Sequence, residues 1–170
     1  MGPLPMADQT ILDRLQPSLL DRLTDEAPEE MRENRDSRVI NIRKLREILR
    51  RDLAWLLNTS NAEFFIDEEL FPHAANSVLN YGISKVAGEF SGVEKAAAIR
   101  KAIHEAILRF EPRILPNSLH VTLRTEETKT ASVVSYDIRA DMWAEPLPLE
   151  VYLRSEVDVA TGELRLDGRG

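Results

Sequence analysis

The sequence has no cysteine, few aromatic residues and no long apolar run, and each scarcity removes a class of function. Without cysteine there are no disulfides, thiolate metal ligands or thiol nucleophiles, a usage compatible with a reducing cytosol. Aromatic residues make up only 6% of the chain and none interleaves with its basic cluster, so a base-stacking platform for nucleic acid is missing. No apolar stretch approaches the length needed to cross a bilayer, and residues 1–20 lack an unbroken apolar segment of signal-peptide type. No direct membrane insertion is therefore expected. Nor is there a glycine-rich phosphate loop, a metal-ligand spacing or a serine elbow, so no cofactor is expected.

What remains is ordinary in amount and uneven in placement. A chain of 170 residues, 43% apolar and 30% charged, fits one domain with its own core plus an extension. The formal charge is −7, yet residues 1–37 carry nine acidic and four basic groups, while residues 38–57 carry six basic and two acidic ones. A basic amphipathic helix inside an acidic protein points to a protein partner rather than to nucleic acid.

Along the chain, Ile11, Leu12, Leu15, Leu19, Leu20 and Leu23 recur at helical spacing, interrupted by Pro17. Residues 24–37 are almost all charge. Residues 1–36 thus read as an amphipathic segment with a flexible acidic connector, and residues 37–170 as the folded domain. Two placements stay open for the segment: folded back on its own domain, or docked on a partner. Residues 39–57 form the strongest predicted helix, with Val39, Ile42, Leu45, Leu49, Leu53, Leu56 and Leu57 on one stripe. Arg43, Arg46 and Arg50 fall away from it, as a solvated face or as a docking face for an acidic partner. Glu47 lies four residues from both Arg43 and Arg51 and is placed to support two guanidinium groups.

Asn58-Thr59-Ser60-Asn61 ends this helix, and residues 62–91 are irregular. Within them Ser77-Val78-Leu79-Asn80-Tyr81-Gly82 reads as a turn whose apolar members fill the core, with Gly82 free to take positive φ. A second helix is expected from Ser91, where Ser91 and Glu94 have capping-box spacing. Its broad face comprises Ala96, Ile99, Ala102, Ile103, Ala106, Ile107 and Phe110. The period then changes to two: Leu119, Val121 and Leu123; Val134, Tyr136, Ile138, Ala140 and Met142; Leu149, Val151, Leu153 and Val157; then Leu164 and Leu166. The expectation is an α+β fold, two main helices on a three- to four-stranded mainly antiparallel sheet, with an extended amino-terminal segment. Its last strands include a sheet edge where a foreign strand could add, and proline at Arg165 is expected to remove an edge donor there.

Between the two regimes stands Phe110-Glu111-Pro112-Arg113-Ile114. Pro112 stops the helix, and a stiff corner is expected either to hold Glu111 and Arg113 towards another molecule or to leave them as solvated loop charges. Few contacts inside the chain are expected for Arg113, with Glu111 alternatively placed to orient Arg113 within the same chain. No catalytic constellation emerges. His73, His104 and His120 have no mutual ligand spacing, Glu68-Glu69 and Glu126-Glu127 are adjacent and point apart, and Glu111 lacks the second carboxylate a glycosidase needs. Trp55 and Trp143 read as core or interface aromatics.

Several features coincide with a known pattern: Ser37-Arg38-Val39-Ile40-Asn41 entering the arginine-rich helix, the 77–82 turn, the helix over 92–110, the FEPRI corner and late strands with Glu163-Leu164. Together, over residues 37–167, they resemble the short wedge family of contractile phage tails, sometimes labelled lysozyme-like. That family includes the TssE baseplate proteins of bacterial type VI secretion. The Leu15 to Leu23 segment resembles the amino-terminal piece of the same proteins, and Ser84 departs from it where proline is more usual. The resemblance implies a non-enzymatic cytoplasmic subunit of a membrane-docked baseplate. It implies a Glu111-Pro112-Arg113 corner facing the TssF/TssG wedge core, with TssK a further candidate neighbour, and a sheet meeting the TssB/TssC sheath. Arg43, Arg46, Arg50, Leu15, Leu19, Leu164 and Arg165 complete the expected protein-binding set.

Overall fold

The computed structural model describes residues 18–24, 29, 42–84, 92–124, 133–143, 148–158 and 161–168. Its elements are α1 (Leu19–Leu23), α2 (Ile42–Asn58), α3 (Pro72–Ala75), α4 (Gly92–Phe110), β1 (His120–Leu123), β2 (Val133–Met142), β3 (Leu149–Asp158) and β4 (Leu164–Gly168). Short 3-10 turns occupy Glu63–Phe65, Val78–Asn80 and Pro116–Ser118. The strands form one antiparallel sheet in the order β1-β2-β3-β4, an α+β arrangement with two main helices. Residues before Ser18, including Leu15, and the capping residue Ser91 lie outside the described set.

The helices are set by their buried stripes. In α2 the buried positions are Leu45, Ile48, Leu49, Leu53, Leu56 and Leu57; in α4 they include Ile99, Ile103, Ala106 and Ile107. Both faces press on one side of the sheet, α2 against β4 and α4 against β1, with the helices touching each other. The register explains why the alternating residues meet them. Val121 pairs with Ile138, Ile138 with Leu153 and Val157 with Leu164, so the apolar rows run across the sheet on one face. Three expectations shift at the margins. Ile42 is exposed, Ile48 takes a place in the stripe, and Ser155 lies fully buried among the β3 apolar residues.

The turn at 77–82 differs more. Val78 and Leu79 are exposed, so of the turn's large apolar members only Tyr81 packs against the core. The buried residue is Asn80, whose Nδ2 donates to the Ala75 carbonyl at 2.9 Å and whose Oδ1 accepts from the Ala62 N–H at 3.1 Å. A carboxamide with donor and acceptor on one planar group closes both ends of the loop, which no aliphatic side chain can do. Gly82 has φ of 119°, as expected, and a Cβ there would lie 2.2 Å from the Thr59 carbonyl oxygen. That close approach carries the bridge between Ser60 and Ile83.

The sheet edge also differs in parity. Gly162, at φ 77°, closes the β3–β4 hairpin: its N–H reaches the Asp158 carbonyl at 2.7 Å, and the Asp158 N–H reaches Glu163 at 2.9 Å. Alternation then turns the Arg165 main chain inward, towards Glu156, and the Leu164 and Leu166 main chains outward. Proline at Arg165 would therefore break the internal ladder rather than remove an edge donor. The outward groups of Leu164 are taken by Asn58, whose side chain accepts its N–H and donates to its carbonyl, both at 2.9 Å.

Candidate functional site

The corner at 111–113 is fixed from three sides. Helix α4 ends at Phe110, with the Glu111 N–H still bonded to the Ile107 carbonyl at 2.9 Å. Beyond Pro112 the chain is tied to the end of β2. The Trp143 N–H donates to the Arg113 carbonyl at 2.7 Å and the Leu115 N–H to Asp141 at 2.8 Å, with a bridge between Ile114 and Met142. The third tie is electrostatic and comes from α2.

Glu111 is 6% exposed, so the carboxylate does not face outward. Arg113 grips it with two side-chain bonds, Nε to Oε1 at 2.7 Å and Nη2 to Oε2 at 2.6 Å, and the Arg113 backbone N–H adds a third at 3.1 Å. Nη2 also donates to Asp52 Oδ2 at 2.7 Å. The expectation of few internal contacts at Arg113 is thus overturned. A carboxylate next to a helix C-terminus meets the negative end of the dipole, and burial raises its demand for a counter-charge. The planar guanidinium supplies that charge with bidentate geometry. For Arg113 itself burial is the largest influence and works against the charge, but Glu111 and then Asp52 outweigh it and hold the group more firmly protonated than usual.

Asp52 extends the cluster. Its Oδ1 accepts from Arg51 Nη2 at 2.7 Å, and Arg51 Nη1 reaches Asp21 Oδ1 on α1 at 2.5 Å. The sequence Asp21–Arg51–Asp52–Arg113–Glu111 is an unbroken alternation of charge. Among the described residues the carboxylates that bond Arg51 are Asp21 and Asp52 rather than Glu47, the partner its i,i+4 spacing suggested, and the guanidinium also lies over the exposed Trp55 ring at 4.9 Å. The hydrogen bond from Arg51 holds the Asp21 carboxyl below its ordinary value, against the opposing effect of burial, and a bond from Ser18 adds to it. Helix α1 thus folds back on the domain through its polar side, leaving Leu19 and Leu23 exposed.

Ser18, Leu56, Tyr81 and Phe110 surround the corner and, with Asp52 and residues 111–113, line an open cleft of about 350 Å³. Tyr81 meets Phe110 edge-on at 5.3 Å, and burial pushes its hydroxyl pKa up, helped by Asp52 and Glu111. The bonds made by Arg113 use Nε and Nη2, so Nη1 has no acceptor among the described residues. The cleft combines apolar walls, an exposed proline and one guanidinium edge. Among the described residues no group of three or more metal-ligating side chains comes together, and no helix is long and apolar enough to cross a membrane.

The remaining sequence-predicted residues do not join this site. Arg43, Arg46 and Arg50 are exposed along α2, and among the described residues no ion pair or hydrogen bond links them to Glu111 or Arg113; Arg46 instead donates to the Glu150 carbonyl at 3.3 Å. Leu164 is in the core, while Arg165 is exposed beside Glu163 at 3.7 Å. Asp52 and Asp21 escaped the sequence reading because nothing local marks them. Asp52 is 61 residues from Arg113.

A family model, baseplate wedge protein gp25, matches residues 43–147. That span holds α2 from its second residue, α3, α4, the corner, β1 and the whole of β2. The chain belongs to the gp25 baseplate wedge family. TssE proteins are part of the same family, whose role is structural. No match was found among curated proteins or among solved structures.

Proposed function

We propose that the chain is a TssE-type subunit of a type VI secretion baseplate, acting without catalysis in the cytoplasm. It joins the TssF/TssG wedge core, near TssK, to the first ring of the TssB/TssC sheath. The observation that carries this reading is the corner within the family-matched span. Glu111 and Asp52 fix the guanidinium of Arg113 beside an open, apolar-walled cleft, so one hydrogen-bonding edge is preorganised for a partner carbonyl or carboxylate. Pro112 is exposed at the same point, adding a rigid apolar contact.

Because Arg113 is also bound internally, its removal weakens folding as well as association. The informative variant is Arg113→Lys, which keeps a charge for Glu111 but not the planar fork. Co-purification with TssF and TssG should fall for folded Arg113→Lys and fall further for Arg113→Ala. Normal wedge entry by both would reject the corner as a contact. The basic face is a secondary contact in this reading: reversal of Arg46 and Arg50 to glutamate should weaken association and flatten its salt dependence, and unchanged binding would leave the face merely solvated.

The sheath contact is assigned to the free part of β4, at Leu166, since Asn58 already occupies Leu164. Proline at Leu166 removes the outward donor without entering the β3 ladder. Retention of sheath binding by that variant would reject strand addition. Peptidoglycan turnover by the purified protein, abolished by Glu111→Gln, would overturn the non-enzymatic role.

A further inference from the structure

The loop over residues 62–81 exposes Phe64 by 94%, Phe65 by 86% and Val78 by 80%, together with Leu70, Phe71 and Leu79. Single exposed apolar residues are common on protein surfaces; six large ones in one short loop mark a binding surface. The loop is built to hold them there. Asn80 clamps its two ends, and Asp67 Oδ1 accepts the N–H groups of Glu69 and Leu70 at 3.0 and 3.1 Å. Arg109 of α4 reaches the Ala75 carbonyl at 3.2 Å, and Ser84 bonds the Glu63 carboxylate. The Phe64 and Phe65 rings meet edge-on at 5.4 Å. A surface fixed in this way loses little conformational entropy when it docks.

Charge selects the occupant. Glu63, Asp67, Glu68 and Glu69 stand among these apolar side chains, all exposed, and residues 58–84 contain no lysine or arginine. An anionic lipid surface or a phosphate backbone would be repelled. We propose that loop 62–81 is a second docking surface, whose occupant is an apolar groove on a neighbouring wedge-core protein, rimmed by lysine or arginine. The aromatic pair fills the groove and the carboxylates pair with its rim. This inference rests on the baseplate reading; its six exposed apolar residues and four carboxylates are all separate from those lining the corner cleft, which the loop meets only at Tyr81.

The test measures binding of the full chain to purified TssF–TssG at low and high salt, for wild type, Phe64→Ser/Phe65→Ser and Glu68→Lys/Glu69→Lys. Melting curves confirm that both variants stay folded. Loss of the aromatic pair should weaken binding by about tenfold or more, as for central interface aromatics. The charge reversal should weaken it mainly at low salt and reduce the salt dependence. A wild-type chain that binds while both variants bind equally well overturns the loop's role alone. A wild-type chain that does not bind rejects the baseplate reading, and the groove with it. Parallel arms use vesicles of phosphatidylcholine with phosphatidylglycerol, and sedimentation of the chain alone; phenylalanine-dependent vesicle binding or self-association would overturn the assignment to a wedge groove.

Discussion

At residues 111–113 the chain buries a carboxylate and half-buries a guanidinium, whereas at 62–81 it leaves six large apolar side chains in solvent. Each region inverts the usual distribution, and each is held by hydrogen bonds from polar side chains. The corner is tolerated because every side-chain hydrogen bond of Arg113 ends on a carboxylate, and because the buried Glu111 carboxylate is matched by that guanidinium. The loop is tolerated because its backbone is satisfied by Asn80 and Asp67 rather than by apolar burial. Polar groups therefore do the internal holding in both places, and apolar surface is left exposed beside them.

Variants that remove the holding groups should separate the two regions most strongly. Glu111→Ala leaves Arg113 partly buried with one carboxylate partner lost, and should destabilise the domain by about 3–5 kcal/mol in urea unfolding. Gly82→Ala forces a Cβ against the Thr59 carbonyl at a positive φ and should cost about 2–3 kcal/mol. Asn80→Ala leaves the Ala62 N–H without its partner and the Ala75 carbonyl with Arg109 alone, and about 1–2 kcal/mol should be lost together with protection from proteolysis in the loop. The apolar loop residues should behave oppositely. Phe64→Ser should change stability by less than about 0.5 kcal/mol, because that side chain gains nothing from folding.

The smallest effect concerns α1. The Asp21 pKa is lowered in the folded chain, chiefly by its bond to Arg51, so its contribution is present above the ordinary value of 3.8 and is lost as pH falls through the lower folded value. Hydrogen exchange at residues 19–23 should be faster in Asp21→Asn than in wild type at neutral pH. That difference should close as the pH drops below 3.8. A difference that persists in acid would mean that α1 is held by something other than this ion pair.

The parts legible in the sequence are those with a period. The stripes of α2 and α4 and the alternation in β2 and β3 appear because one face of each element is buried, and the four-stranded antiparallel sheet follows from their order. Family membership was legible in the same elements together with the FEPRI corner. What escaped has no period. Val78 and Leu79 sit in a turn, where apolarity says nothing about direction, and the residue that matters there is the intervening Asn80. Asp52 meets Arg113 only through the tertiary fold. The outward parity at Leu164 and Leu166 depends on how Gly162 closes the hairpin, a single conformational choice that shifts every later main-chain group.

The central claim is that Glu111 and Arg113 serve each other before they serve a partner. It is tested most directly by urea unfolding of Glu111→Leu, Arg113→Met and the double variant. If the two charges are held for one another, each single variant leaves the other without its bidentate partner, and the double variant should be more stable than Glu111→Leu alone by at least about 1 kcal/mol. Additive losses, with the double variant the least stable of the three, would contradict the account and return the corner to a pair of independent charges.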